Sequence, residues 1–143
     1  MHDNKIYYIS QEEADKKLCA LKQRDEVFTV VIDGSKIKNW DDYIRVITKE
    51  FRFPTFEARN YDGYIDYMTD LMWIDNNAFA LFILNYEEFM SKDLTLKKAV
   101  MNWFLTDILF WWSEDVEVHC MGGKSKEFNV YLVNDYKSHT TIN

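Results

Sequence analysis

Little in this chain interrupts a fold. One proline and four glycines in 143 residues leave almost no place for a flexible linker. The expectation is one domain over 1–143, with disorder confined to the ends. The two cysteines, Cys19 and Cys120, stand in no CxxC or Cys/His array, so they are read as reduced thiols and no metal site or disulfide framework is expected. No apolar run approaches the ~20 residues a membrane helix needs. The richest run, residues 100–112, is broken by Asn102, Thr106 and Asp107. The start of the chain, MHDNKIYYISQEEADKK, lacks the apolar stretch of a signal peptide, and the default reading is a cytoplasmic protein. Positive charge is also scarce: 17 basic against 24 acidic residues give a net charge of −7. Phosphate backbones and anionic lipid repel such a surface, so neither nucleic acid nor membrane is an expected partner. A basic protein is attracted to it.

What the chain does have is apolar and aromatic residues, 48% and 17%, enough for a packed interior. Three segments read as strands of a buried sheet: residues 27–32 (VFTVVI), 79–84 (FALFIL) and 128–133 (FNVYLV). Their near-continuous apolar runs predict burial on both faces. Residues 6–9 fit a short edge strand within an N-terminal extension, 1–24. Ser10 followed by Gln11-Glu12-Glu13 reads as a helix N-cap with an acidic first turn. The helix it opens has only a thin apolar stripe, Ala14, Leu18 and Leu21, and belongs on a surface. Asn39 is a second predicted N-cap, for an amphipathic helix with Trp40, Tyr43, Ile44, Ile47 and Phe51 on one face, closed before Pro54. A further helix is predicted over 60–72, a short turn over 86–90, and the longest helix over 96–112. Residues 113–127 read as a variable surface loop with an irregular strand at 116–120, and residues 136–143 as a tail. Strands alternating with helices predict an α/β fold: a small three-stranded parallel sheet packed by about four helices.

The most informative segment is PTFEARNYDGYIDYMTDLMWID, residues 54–75. It holds five acids, Glu57, Asp62, Asp66, Asp70 and Asp75, against one base, Arg59. Asp62, Asp66 and Asp70 recur every fourth residue and are predicted to stack on one helical face, where each like-charge pair costs roughly 0.2–0.5 kcal/mol. The bland reading is a solvated face of an acidic protein. The functional reading is a self-repelling stripe that a cationic partner neutralises, its carboxylates standing where phosphate oxygens would sit in a site built for phosphates. Phe56, Tyr61 and Ile65 lie beside these acids, and aromatic anchors among charges suit a protein interface.

The order strand, turn, amphipathic helix, Pro54, an aromatic at 56, then Asn60-Tyr61-Asp62-Gly63-Tyr64-Ile65-Asp66 resembles the barstar family of ribonuclease inhibitors. The likeness continues through FALFILNYEEFMSKDL and covers about 27–94, with 128–133 as the last strand. It implies a protein that is not an enzyme and needs no cofactor or metal. Its partner would be a basic extracellular-type ribonuclease, plugged by an acidic helix. Asp62 and Asp66 would enter the active site, Asp66 most deeply, framed by Asn60, Tyr61 and Ile65; on our own reading of the segment, Phe56 packs with them and Asp70 joins the partner-binding acids. The chain departs from the family pattern at Glu57, Arg59, Ile65 and Asp70, where the best-known member has Tyr, an acid, Trp and Gly. These changes leave open an immunity protein against a toxin that is not a ribonuclease. The family's further acidic contact has no aligned counterpart, with Asp107 and Glu114 as the two options.

Other patterns carry less. Gly122-Gly123-Lys124-Ser125 imitates a phosphate-binding loop, but Val118 stands where that loop needs glycine. His119-Cys120 offers two ligands where structural zinc wants four. The helix acids could hold Mg²⁺ in a metal-dependent hydrolase, the remaining alternative. Trp103, Phe104, Trp111 and Trp112 read as core, with one of the adjacent tryptophans turned outward.

Overall fold

A computed structural model describes residues 2–55 and 59–135. It is a parallel α/β sheet, with strands β1 (Ile6–Ser10), β2 (Val27–Asp33), β3 (Ala78–Leu84) and β4 (Glu127–Asn134) in the order β1-β4-β3-β2. The sheet therefore has four strands, where three were expected. Residues 6–10 pair in register with β4, Ile6 with Val130 through Ser10 with Asn134. A pairing across more than a hundred residues leaves no local signature, and the short half-exposed run could not declare its partner.

The helices are α1 (Gln11–Leu21), α2 (Trp40–Glu50), α3 (Tyr61–Met68), α4 (Leu94–Trp103) and α5 (Val116–His119). Between α4 and α5 the helix continues through two π-helical stretches, Phe104–Ile108 and Trp111–Asp115. One helical rod thus spans 94–119, and the expected loop with a strand at 116–120 is instead helix as far as His119. Val116 and Trp112 are buried, and that burial holds a segment whose composition reads as surface.

Local signals start the helices as expected. Ser10 and Glu13 form a reciprocal capping box, satisfying two orphan donors at once. The Asn39 side chain accepts from the Asp42 N–H at 2.9 Å. The side-chain period of two then sorts each strand between two layers. Phe28, Val30, Ile32, Phe79, Leu81, Ile83, Phe128, Val130 and Leu132 face the main core with α2, α3 and the long helix. Val27, Ala78, Ala80, Phe82, Tyr131 and Val133 face α1, which contributes Ala14 and Leu21. Central β3 is buried on both faces. β2 was expected to be, but it lies at the sheet edge, and Thr29 and Val31 are exposed there.

The end of β2 is pinned to the end of β3. One Asp33 carboxylate oxygen accepts from the Ser35 N–H, the Ser35 hydroxyl and the Asn85 side-chain amide at 2.7–3.0 Å. Gly34 follows so closely packed that a Cβ would come within 2.7 Å of the Leu84 carbonyl oxygen and 2.8 Å of that of Asn85, and neither backbone atom can yield. The Asn85 and Ser35 hydrogen bonds hold the Asp33 carboxyl below the usual carboxylate range. A lowered folded-state value contributes stability above the ordinary pKa that is lost as pH falls through the folded one. Asp33→Ala is expected to cost about 1–2 kcal/mol at pH 7, modest because the group is partly solvated. In denaturant titrations from pH 7 to 2, the gap to the parent protein should close below about pH 4.

Candidate functional site

The acidic segment folds as a short helix anchored from beneath. Asn60 caps α3, its side-chain oxygen accepting from the Gly63 N–H at 2.9 Å. This frees Tyr61 and Asp62 to begin the helix, with Asp62 in the first turn, where the dipole favours negative charge. Tyr64 and Met68 point inward and are fully buried. The Tyr64 hydroxyl lies 2.7 Å from that of Tyr43 on α2, and burial pushes both phenols up. Trp40 stacks edge-on against Tyr64 and Trp103, and its indole N–H donates to the Arg59 carbonyl just before the cap. At the far end, the Trp112 indole N–H donates 2.9 Å to the Met68 carbonyl, satisfying a helix C-terminal acceptor from a buried side chain. Both ends and the underside of α3 are thus tied to α2 or to the long helix.

The outer face carries the candidate residues. Asp62 and Asp66 are exposed one turn apart on α3, Ile65 is half-buried between them, and Tyr61 is 39% exposed. Asp70 leaves this stripe. α3 was expected to run to residue 72 but ends at Met68, with Thr69 as C-cap and its hydroxyl donating to the Ile65 carbonyl at 2.7 Å. Leu71 then takes a left-handed φ of 49° and is wholly buried, with Ile74 close behind it. Burying these two side chains turns the chain away from the helix axis, a requirement invisible to four-residue spacing. Asp70 remains exposed, but beyond the helix. Phe56, the remaining expected contact, lies outside the described residues, as does Glu57.

One element escapes the sequence pattern. The Tyr61 hydroxyl donates 2.7 Å to Asp107 Oδ2, and its ring packs 4.8 Å from that of Trp103. The hydrogen bond to the anionic carboxylate is the main cause that raises the Tyr61 phenol to about 12. In the sequence Asp107 is only one of two options for a further acid, and Trp103 reads as core. Trp103 is half-buried and Trp112 buried, while its neighbour Trp111 is half-buried, as adjacent helical residues pointing apart require. The crowd of aromatics on the long helix is legible in the sequence, but its meeting with α3 is not.

Among the described residues, no three His, Cys, Asp or Glu side chains gather as a metal-ligand group, and no helix is long and apolar enough to cross a membrane. Cys19 and Cys120 are free, exposed thiols. Residues 122–125 precede a strand and follow a helix, the reverse of a phosphate loop.

Residues 27–123 match the model of a protein family described as Barstar (barnase inhibitor). The match takes in β2, α2, α3, β3 and the whole long helix, and leaves β1, α1 and β4 outside it. No curated protein matches the chain.

Proposed function

The chain belongs to the barstar family, and from that premise we propose that it inhibits a basic ribonuclease inside the cell by inserting the outer face of α3 into the enzyme's active site. The observation that carries this reading is the pair Asp62 and Asp66, exposed one turn apart on a helix whose other sides are fastened to the fold. Two exposed carboxylates at this spacing repel each other, and a site that binds RNA phosphates supplies the Arg and Lys that relieve the repulsion. Asp66 is the main anionic plug and Asp62 its neighbour. Tyr61, Ile65 and Phe56 pack against the enzyme, and Asn60 holds the helix start. Asp70, on the turn that follows, contributes at the rim. The net charge of −7 steers a cationic partner toward the chain and makes association sensitive to salt.

A second reading is favoured by one group of residues. Arg59 stands within the acidic segment next to the cap, where the family pattern has an acid, and Asp70 stands where that pattern has Gly. Specificity is a difference of affinities, and a reversed charge repels a former partner as effectively as a new one attracts another. The rival is therefore an immunity protein against a toxin other than a ribonuclease.

The test is a titration of the chain into an RNA-cleavage assay with a small basic microbial ribonuclease. Inhibition that is complete at one equivalent supports the ribonuclease reading. Activity untouched by excess folded chain refutes it for that enzyme class, and protection against a DNase-type toxin in the parallel assay would establish the rival.

A further inference from the structure

The Tyr61–Asp107–Trp103 contact is not required by the architecture of α3. The helix is capped by Asn60, tied underneath by Tyr64 and closed by Trp112, so a contact to its first residue adds little to its placement. Tyr61 is also not core, being 39% exposed. Even so, two side chains of the long helix hold it, one by ring packing at 4.8 Å and one by a hydroxyl–carboxylate hydrogen bond at 2.7 Å. A ring contact alone leaves a tyrosine free to slide, and a hydrogen bond alone leaves it free to swing. Together they fix both the plane and the tip of the side chain.

The backbone beneath this clamp is unusual. Asp107 lies within the π-helical stretch Phe104–Ile108 and Trp103 immediately precedes it. A π turn adds a residue to the helical repeat, is rarely populated and concentrates at functional positions. Phe104 and Ile108 within the stretch are fully buried, which anchors it in the core while Asp107 is presented to α3.

We infer that Asp107 is a positioning residue of the inhibitory face, acting through Tyr61: from the π-helical stretch it locks that side chain, before any partner arrives, as a rigid aromatic edge beside Asp62 and Asp66. This rests on the inhibitor reading above. Its physical content is preorganisation: a side chain already immobilised loses less conformational freedom on binding, and rigid tyrosines are efficient anchors for this reason. It also assigns Asp107 a role different from Asp66, since its carboxylate acts as a hydrogen-bond acceptor within the chain and not as a charge offered to the partner.

The test separates these roles with Asp107→Ala, Asp107→Asn, Tyr61→Phe and the double variant Asp107→Ala/Tyr61→Phe. Affinity is measured for the small basic ribonuclease at fixed salt, beside thermal melting of each free chain. Asp107→Ala should weaken binding about 5- to 10-fold, from one lost hydrogen bond and the freed ring. Asp107→Asn, which keeps an acceptor and loses the charge, should recover most of that loss. The double variant should bind about as well as the weaker single one, because both changes break the same contact. An Asp107→Asn loss equal to that of alanine, or additive losses in the double variant, would overturn the inference and make Asp107 a direct charge contact. The Tyr61 phenol is followed in parallel by NMR on tyrosine-labelled chain, identified among the nine tyrosines by its disappearance in Tyr61→Phe. It should titrate near 12 in the parent chain and return toward about 10 in Asp107→Ala. A phenol unmoved by Asp107→Ala overturns the inference without any partner. If the parent chain fails to bind the ribonuclease, the inhibitor reading falls by itself, and the phenol titration still decides whether Asp107 holds Tyr61.

Discussion

Asp66→Ala is expected to abolish tight inhibition while leaving the fold as stable as before, or slightly more so. Asp66 is exposed on the outer face of α3, so its truncation opens no cavity, and surface changes of this kind stay within about 0.5 kcal/mol. It also removes the repulsion with Asp62 one turn earlier, a gain of about 0.2–0.5 kcal/mol. Binding moves the other way. Removing one member of a desolvated charge pair leaves the partner's cation buried without compensation, at a cost of about 2–5 kcal/mol, or roughly 30- to 5,000-fold in affinity. That range is a family value, because charge pairs measured in the barnase–barstar complex are among those that set it. Competitive inhibition curves and urea titrations on the same preparations measure both quantities. A large fall in affinity with unchanged stability assigns Asp66 to the interface, whereas equal affinity in a folded variant would remove it from the plug. Asp70→Ala, on a residue carried off the helix by the turn at Leu71, should have a much smaller effect.

The largest stability loss is expected for Phe79→Ala, about 3–5 kcal/mol in urea unfolding. Register places Phe28, Phe79 and Phe128 side by side on three adjacent strands, with ring centroids 6.4 and 5.4 Å from the middle one. Phe51 packs on the outer two rings and Trp112 on Phe79. Phe79 is fully buried in the centre of this row, and the sheet backbone beneath it cannot move to fill the void. Phe79→Leu keeps most of the volume and should lose less than half as much. A domain of this size is stable by only about 5–15 kcal/mol, so the alanine variant should approach the edge of folding at 37 °C. A loss under about 1.5 kcal/mol would mean that neighbouring rings collapse into the space. Because Trp112 also holds the end of α3, the same variant should loosen the candidate interface.

Local chemistry makes much of this readable in advance. The three long strands lie at or within a residue of their expected bounds, because short β-branched and aromatic runs between turns suit a buried sheet. Ser10, Asn39 and Asn60 sit at helix starts, since a short polar side chain there satisfies orphan N–H groups whatever the rest of the fold does. The likeness around residues 54–66 points to the family that residues 27–123 match.

The departures share one cause. Residues 6–10 form the edge strand expected over 6–9, but they join the sheet as its fourth strand only because β4 lies beside them. α3 stops at Met68 because Leu71 and Ile74 are drawn into the core, which takes Asp70 off a stripe that its spacing implied. Residues 116–119 are helical while Val116 packs inward. The Tyr61–Asp107 contact joins residues 46 apart.

By itself, then, the amino-acid order determined where the three long strands and the capped helices begin, and that two carboxylates stand one turn apart on an acidic chain, because each depends on neighbours within a few residues. Tertiary structure alone decided the number of strands, the length of the acidic helix and which aromatic and acid hold its Tyr61. Those outcomes are set by burial and hydrogen bonding between segments that meet only once the chain has folded.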